Sequence, residues 1–280
     1  MVAACVSPHM RSLLLVPAAA GLLALAACDI EDFAATARYD RDFHYSYPLN
    51  SNGKVSVETF NGSIEVSGWD QNLIDISGTK YGPTQDIADH IDVAVDHSPD
   101  AASVRVSRPA ERHGNTGARL LIKIPRTAVI ELARTSNGAI RVSDAAGPAH
   151  LRTSNGGIRA AGLSGALDAE TSNGSITAEL ERADGPIRVE TSNGGIELRL
   201  PQRIRDSVRA HTSNGGITVR APEGIDARVS ARTSNAHVTS DFDVRMQGEI
   251  SRNRIDGILG NGGPLLDLST SNGSIHLARM

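Results

Sequence analysis

The chain of 280 residues is 40% hydrophobic and 21% charged, with a formal net charge of −4, as in an ordinary folded protein. Its 28 Lys and Arg stand against 32 Asp and Glu without a dense basic stretch, which excludes nucleic acid as a partner. Aromatic residues make up only 3%, and none lies between Gly82 and Asp241, which excludes a core built on large rings and calls for a thin, regular aliphatic one.

The first thirty residues read as an address. Arg11 precedes the apolar run Leu13 to Ala27, which is too short to span a bilayer and fits a signal-peptide core, with Met10 an alternative start to Met1. The run ends in Leu25-Ala26-Ala27-Cys28, which resembles the lipobox of bacterial lipoproteins. That resemblance implies cleavage before Cys28 and acylation of its sulfur and amine, with palmitate-type chains each contributing roughly 0.8 kcal/mol per buried CH₂ to membrane binding. An ordinary secretory signal with a chance Cys is the alternative. On either reading Cys5 is removed and no intramolecular disulfide remains. Asp29 resembles an inner-membrane retention signal, so the expected location is the extracytoplasmic side of the cell envelope, at the inner or the outer membrane. The expected organisation is a signal peptide over 1–27, a lipid-anchored tether and aromatic N-terminal cap over 28–47, and a repeat domain over 48–280.

Thr-Phe-Asn-Gly opens the repeats at Thr59 and Asn61. Thr-Ser-Asn-Gly follows at Thr135/Asn137, Thr153/Asn155, Thr171/Asn173, Thr191/Asn193, Thr212/Asn214 and Thr270/Asn272, with a Thr-Ser-Asn-Ala variant at Thr233/Asn235. Start-to-start spacings from Thr135 are 18, 18, 20, 21, 21 and 37, the last close to two periods. Alternating strands flank each copy, for example Leu167-Asp168-Ala169-Glu170 before Thr171 and Ile196-Glu197-Leu198 after Gly195. Asn-Gly between them predicts backbone with positive φ, and one copy alone reads as a hairpin. The near-constant period favours a solenoid, in which like residues stack about 4.8 Å apart into Thr, Asn and Ile ladders. The expected fold is therefore an all-β parallel β-solenoid of roughly 10–13 coils, about 50–60 Å long at that strand spacing.

The repeated TSNGGI, the opening Gly53 to Asp70 with its TFNGSI, and the lipobox together resemble the DUF4097 β-strand-repeat family, often labelled adhesin-like, over about 48–280. The resemblance implies a right-handed, single-stranded β-helix and no reaction, substrate or catalytic residue. Ala236 departs from the motif Gly and predicts an altered corner. Asn253 to Gly263 reads as a loop replacing one coil's motif, and Glu111 to Gly117 as an exposed loop. The last coil ends at Met280 with no sequence left to cap it.

The Thr/Asn ladder reads as structural, since no His or Asp stands at constant offset to activate its hydroxyls. His90 to His97 alternates as an amphipathic strand, with His90, Asp92 and Asp96 on one face, and does not supply the converging ligands of a metal site. The expectation is thus a protein without cofactor, metal or catalysis. It is a membrane-anchored interaction, adhesin-like or scaffold module with a protein or glycan partner in the envelope, able to associate end to end through an uncapped last coil. The alternative is a polysaccharide-processing or glycan-binding β-helix using the 79–119 region, a reading weakened by the shortage of sugar-stacking rings.

Overall fold

Two sheets form where alternating strands meet a repeated polar corner. The computed structural model describes residues 38–108, 114–247 and 251–280, so Cys28 and its signal lie outside the described residues. The chain starts with β1 (Tyr39–Pro48), β2 (Lys54–Thr59), β3 (Ile64–Trp69) and β4 (Leu73–Gly82). A short helix α1 (Gln85–Asp89) leads to β5 (Asp92–Ser98), β6 (Ala101–Ser107) and β7 (Gly117–Pro125). Strand pairs then alternate: β8 (Val129–Thr135) with β9 (Ile140–Ser143), β10 (Ala149–Thr153) with β11 (Ile158–Leu163), and β12 (Leu167–Thr171) with β13 (Ile176–Leu180). They continue as β14 (Ile187–Thr191) with β15 (Ile196–Arg199), β16 (Val208–Thr212) with β17 (Ile217–Ala221), and β18 (Ala227–Thr233) with β19 (Val238–Ser240). Last come β20 (Arg245–Met246), β21 (Arg254–Leu259), β22 (Leu265–Thr270) and β23 (Ile275–Arg279).

Each coil gives one strand to each sheet. The first sheet has 11 strands in the order β1-β4-β7-β3-β9-β11-β13-β15-β17-β23-β19, and the second has 12, β20-β21-β18-β22-β16-β14-β12-β10-β8-β2-β6-β5. In the first sheet ten of the eleven strands, all but β4, share one direction, and the nine from β7 to β19 pair in parallel, so the fold is an all-β, largely parallel β-solenoid. The hairpin alternative falls, because strands on either side of the motif lie in different sheets and pair in parallel with the next coil. The coil count is nine rather than 10–13, because antiparallel strands β1, β4 and β5 take over at one end and β20–β21 at the other.

Alternation places one side of every strand inside. In one coil Leu167, Ala169, Ile176 and Ala178 are buried, and the ladder of Ile64, Ile140, Ile158, Ile176, Ile196, Ile217, Ile275 and Val238 runs through the core. Each fully buried Ile contributes roughly 1.5–3 kcal/mol, so a two-residue-deep interior needs no rings. Extra residues in the longer repeats fall at the return corner, which holds 164–166 in one coil and 200–207 in another. The polar corner itself never changes length.

The last coil is not the end of the stack. Strand β22 lies between β16 and β18, and β23 between β17 and β19. Thr270 is therefore in register with both Thr212 and Thr233, and the spacing of 37 spans one outward step and a return, not two stacked coils. The cap lies earlier in the chain than expected: β21 runs antiparallel against β18, and β20 against β21. The backbone N–H groups of Val238 and Thr233 donate to Arg252 and Asn253 oxygens, both at 3.0 Å. Residues 253–263 thus cover the terminal coil rather than replace its motif, because that coil's outer edge would otherwise leave buried backbone groups unpaired.

Candidate functional site

The repeated corner binds itself. Each motif Thr is buried and its hydroxyl donates to the glycine carbonyl one coil back: Thr135 to Gly62 at 2.9 Å, Thr153 to Gly138 at 3.0 Å and Thr171 to Gly156 at 2.8 Å. Thr191, Thr212, Thr270 and Thr233 donate to Gly174, Gly194, Gly215 and Gly273 at 2.8–2.9 Å. Thr59, in the coil nearest the N-terminal cap to carry the motif, donates instead to Asn61 O within its own turn at 3.1 Å. The Asn amides make a second line: Asn155 to Asn137, Asn173 to Asn155, Asn193 to Asn173 and Asn214 to Asn193, each at 2.8 Å. Asn272 donates to Asn214, and Asn235 to Asn272, at 2.7 Å. Nearer the cap, Asn61 donates to Thr116 O at 2.6 Å and Asn115 Oδ1 at 3.4 Å. By register Thr116, Gly117 and Ala118 stand where the motif has Ser, Asn and Gly, so this corner shares none of the motif's letters and is hidden in the sequence.

The motif glycines are there for contact, not for φ. Among them only Gly62 has positive φ, +120°. A Cβ on Gly138, Gly156, Gly174, Gly194, Gly215 or Gly273 would lie 1.8–1.9 Å from the glycine carbonyl oxygen of the adjacent coil. Ala236 stands at this corner in the outermost coil, and the expected distortion is absent. Thr233 and Asn235 keep their bonds, since no further motif coil is stacked on the far side to hold that corner down.

The outer faces carry mixed charge. Arg152 bonds Asp168 at 2.8 Å and also pairs with Glu170 on the neighbouring strand. Arg199–Glu179, Arg220–Glu197 and Arg209–Asp267 pair at 3.0–3.3 Å. Such exposed pairs contribute about 0–1 kcal/mol each. A shallow groove of about 350 Å³ beside Arg134 is lined by the Arg152–Glu170 pair. His211 Nδ1 lies 2.9 Å from Ser269 Oγ.

The N-terminal end differs. Strands β1 and β5 are the outermost members of the two sheets. Phe43, Tyr45 and Tyr47 line the inner side of β1, half-buried against the core. Tyr45 and Tyr47 stack with centroids 6.5 Å apart, and Tyr47 stacks on His97 of β5 at 3.8 Å. Beside them lies a recess of about 290 Å³ lined by Phe43, Tyr45, Lys80, Asp89, His90 and Asp92. The three rings are residues two apart on one strand and so lie on one face.

The polar groups of this recess are held in place. Thr84 caps α1 by accepting from Ile87 N, and the helix presents Asp89 to Arg41, which donates to both carboxylate oxygens at 2.6 and 3.3 Å. The Arg41 hydrogen bond pulls the Asp89 carboxyl below its ordinary range, the wrong direction for a general acid at neutral pH. Lys80 Nζ donates to Asp89 O and Ile91 O at 3.2 and 2.9 Å. His90 Nδ1 donates to the backbone carbonyl of Asp86 at 2.7 Å, which leaves Nε2 free to bond elsewhere. His90, Asp92 and Asp96 are exposed, and among the described residues no group of three or more His, Cys, Asp or Glu is placed to hold a metal. No helix among the described residues is long and apolar enough to cross a membrane.

No curated protein matches the chain. Among crystal structures it is similar to a candidate cell adhesion protein from Clostridium sporogenes, with 13% identity over 86% of this chain and 100% of that one, at a TM-score of 0.40. It is also similar to a candidate adhesin from Bacteroides fragilis, with 14% identity over 85% and 97% of the two chains and a TM-score of 0.42. The central coils of the solenoid, residues 130–223, match the model of the toastrack family DUF4097.

Proposed function

We propose that this protein is an extracytoplasmic lipoprotein, anchored through acylated Cys28, whose solenoid is a non-catalytic, adhesin-like interaction module. The observation that carries the reading is the Thr bonding from coil to coil between Gly62 and Thr233, doubled by Asn amides from Asn137 to Asn235. A stack tied at every corner is a stiff body that presents fixed surfaces, which suits holding a partner rather than closing around a substrate. The lipobox supplies the anchor and Asp29 favours the inner membrane; a short stretch of chain between Cys28 and β1 would keep the capped end near the bilayer surface. The partner is an envelope protein or glycan.

Mass spectrometry of the purified N-terminus, with fractionation of a Cys28→Ala variant, tests the anchor. The reading expects a lipid-modified Cys28 and a variant that leaves the membrane fraction. An unmodified Cys28, or cleavage elsewhere, overturns it.

A further inference from the structure

We infer that the recess between β1 and β5 is a saccharide-binding site that takes a neutral sugar ring against Tyr45 and Phe43. The inference rests on the interaction-module reading and names its ligand class; it does not depend on the anchor.

Ring usage is the first argument. The opposite end of the solenoid is closed by Phe242, Val244 and Ile255, a single ring among aliphatics. The N-terminal end gathers Phe43, Tyr45 and Tyr47 in one row, with successive centroids 5.8 and 6.5 Å apart. Closing a core of Ile, Val and Leu does not require three rings in a row. The half-exposed rings of Phe43 and Tyr45 in the wall of the recess suit the C–H face of a pyranose, which is apolar while its rim is polar.

Charge is the second argument. Arg41 and Lys80 balance Asp89 and Asp92 around the recess, so neither an anion nor a cation is selected. The rim provides both acceptors and donors. Asp92 is exposed with no hydrogen-bond or ion-pair partner among the described residues, His90 offers Nε2, and Lys80 keeps one N–H beyond its two carbonyl bonds. Sugar hydroxyls, which both donate and accept, satisfy such a mixed rim. Groups already locked by α1 and β4 lose little freedom on binding. The volume of about 290 Å³ lies at the small end of ligand pockets and suits one or two sugar residues.

The test is calorimetric titration of the full chain with chitotetraose and with cellotetraose, two neutral linear probes. The expected result is saturable binding of at least one, weakened about tenfold or more by Tyr45→Ala and by Asp92→Ala, a loss of about 1.4 kcal/mol. Asp96→Ala, exposed on the same strand outside the recess, should bind like the parent. Asp92 is exposed, so its variant reports binding even if Tyr45→Ala fails to fold. Absence of binding by both probes at about 10 mM overturns the inference. So does binding that Asp92→Ala leaves unchanged, or a recess that takes an alternating Val/Thr decapeptide and neither sugar. The anchor is read separately at Cys28, so the two ideas fail by different measurements.

Discussion

Gly194 and Gly195 are neighbours in one corner, yet alanine should have opposite effects at the two. A Cβ on Gly194 would lie 1.9 Å from Gly174 O, whereas ordinary contact begins near 3.4 Å. The coils must then part by about 1.5 Å, which stretches the bond from the buried Thr191 hydroxyl to Gly174 O from 2.9 Å to about 4.4 Å, beyond hydrogen-bond range. Overpacking costs about 1–3 kcal/mol and a buried group left unpaired about 1–3 kcal/mol. Gly194→Ala should therefore destabilise by about 3–5 kcal/mol. A Cβ on Gly195 has only Gly216 O within reach, at 3.5 Å, and its φ is not positive. Gly195→Ala should be neutral or stabilising by up to about 1 kcal/mol, because it restricts the unfolded chain. Urea titration followed by far-UV circular dichroism compares the two. A Gly194→Ala midpoint indistinguishable from the parent, or an equal loss for Gly195→Ala, would refute the contact argument and return these glycines to a role in turn conformation.

Thr191→Val keeps the shape of a buried side chain but removes the hydroxyl that donates to Gly174 O at 2.9 Å, and should cost about 1 kcal/mol in the same titration. Amides of Leu266, Leu268, Ile275 and Leu277 should exchange with deuterium as slowly as those of β14 and β16, although they close the chain, because coils flank them on both sides; fast exchange there would contradict the inserted position. Asp256 is held below its ordinary range: burial pushes its carboxyl up, but hydrogen bonds from Ser230 and Arg254 outweigh it. Its stabilisation is present above the unfolded value near 3.9 and is lost as pH falls through the lower folded value, so acid should loosen β21 first, and Asp256→Asn should reduce that pH dependence in exchange measurements from about pH 5 to 2.

The repeat made the stacking legible. A four-residue string recurring at near-constant spacing, with alternation on both sides, implies parallel coils and aligned like residues, because only stacking gives the same neighbours to every copy. Alternation likewise separates inside from outside at Leu167, Ala169 and Thr171 without coordinates. The chemistry of the corner was less legible. Asn-Gly carries the same letters whether glycine serves a positive φ or a close approach, and only the carbonyl of the adjacent coil distinguishes them at Gly194. The recess was hidden for a similar reason. Phe43 and Tyr45 stand apart in the chain from His90 and Asp92, and the antiparallel pairing of β1 with β4 and the turn through α1 bring them together.

The sequence by itself determined a thin aliphatic core and a polar corner repeated along a parallel stack, since each rests on local pattern. Tertiary structure alone decided the order of coils. Identical corners make every coil a fitting neighbour for every other, so nothing in residues 264–280 says whether they end the stack or enter it. The antiparallel cap of β20 and β21 occupies the end first and leaves the last coil only the place between β16 and β18. Scarce rings follow the same division: composition predicts their absence from the coils and alternation sets three of them on one face of β1, while pairing of distant strands places that face beside His90 and Asp92.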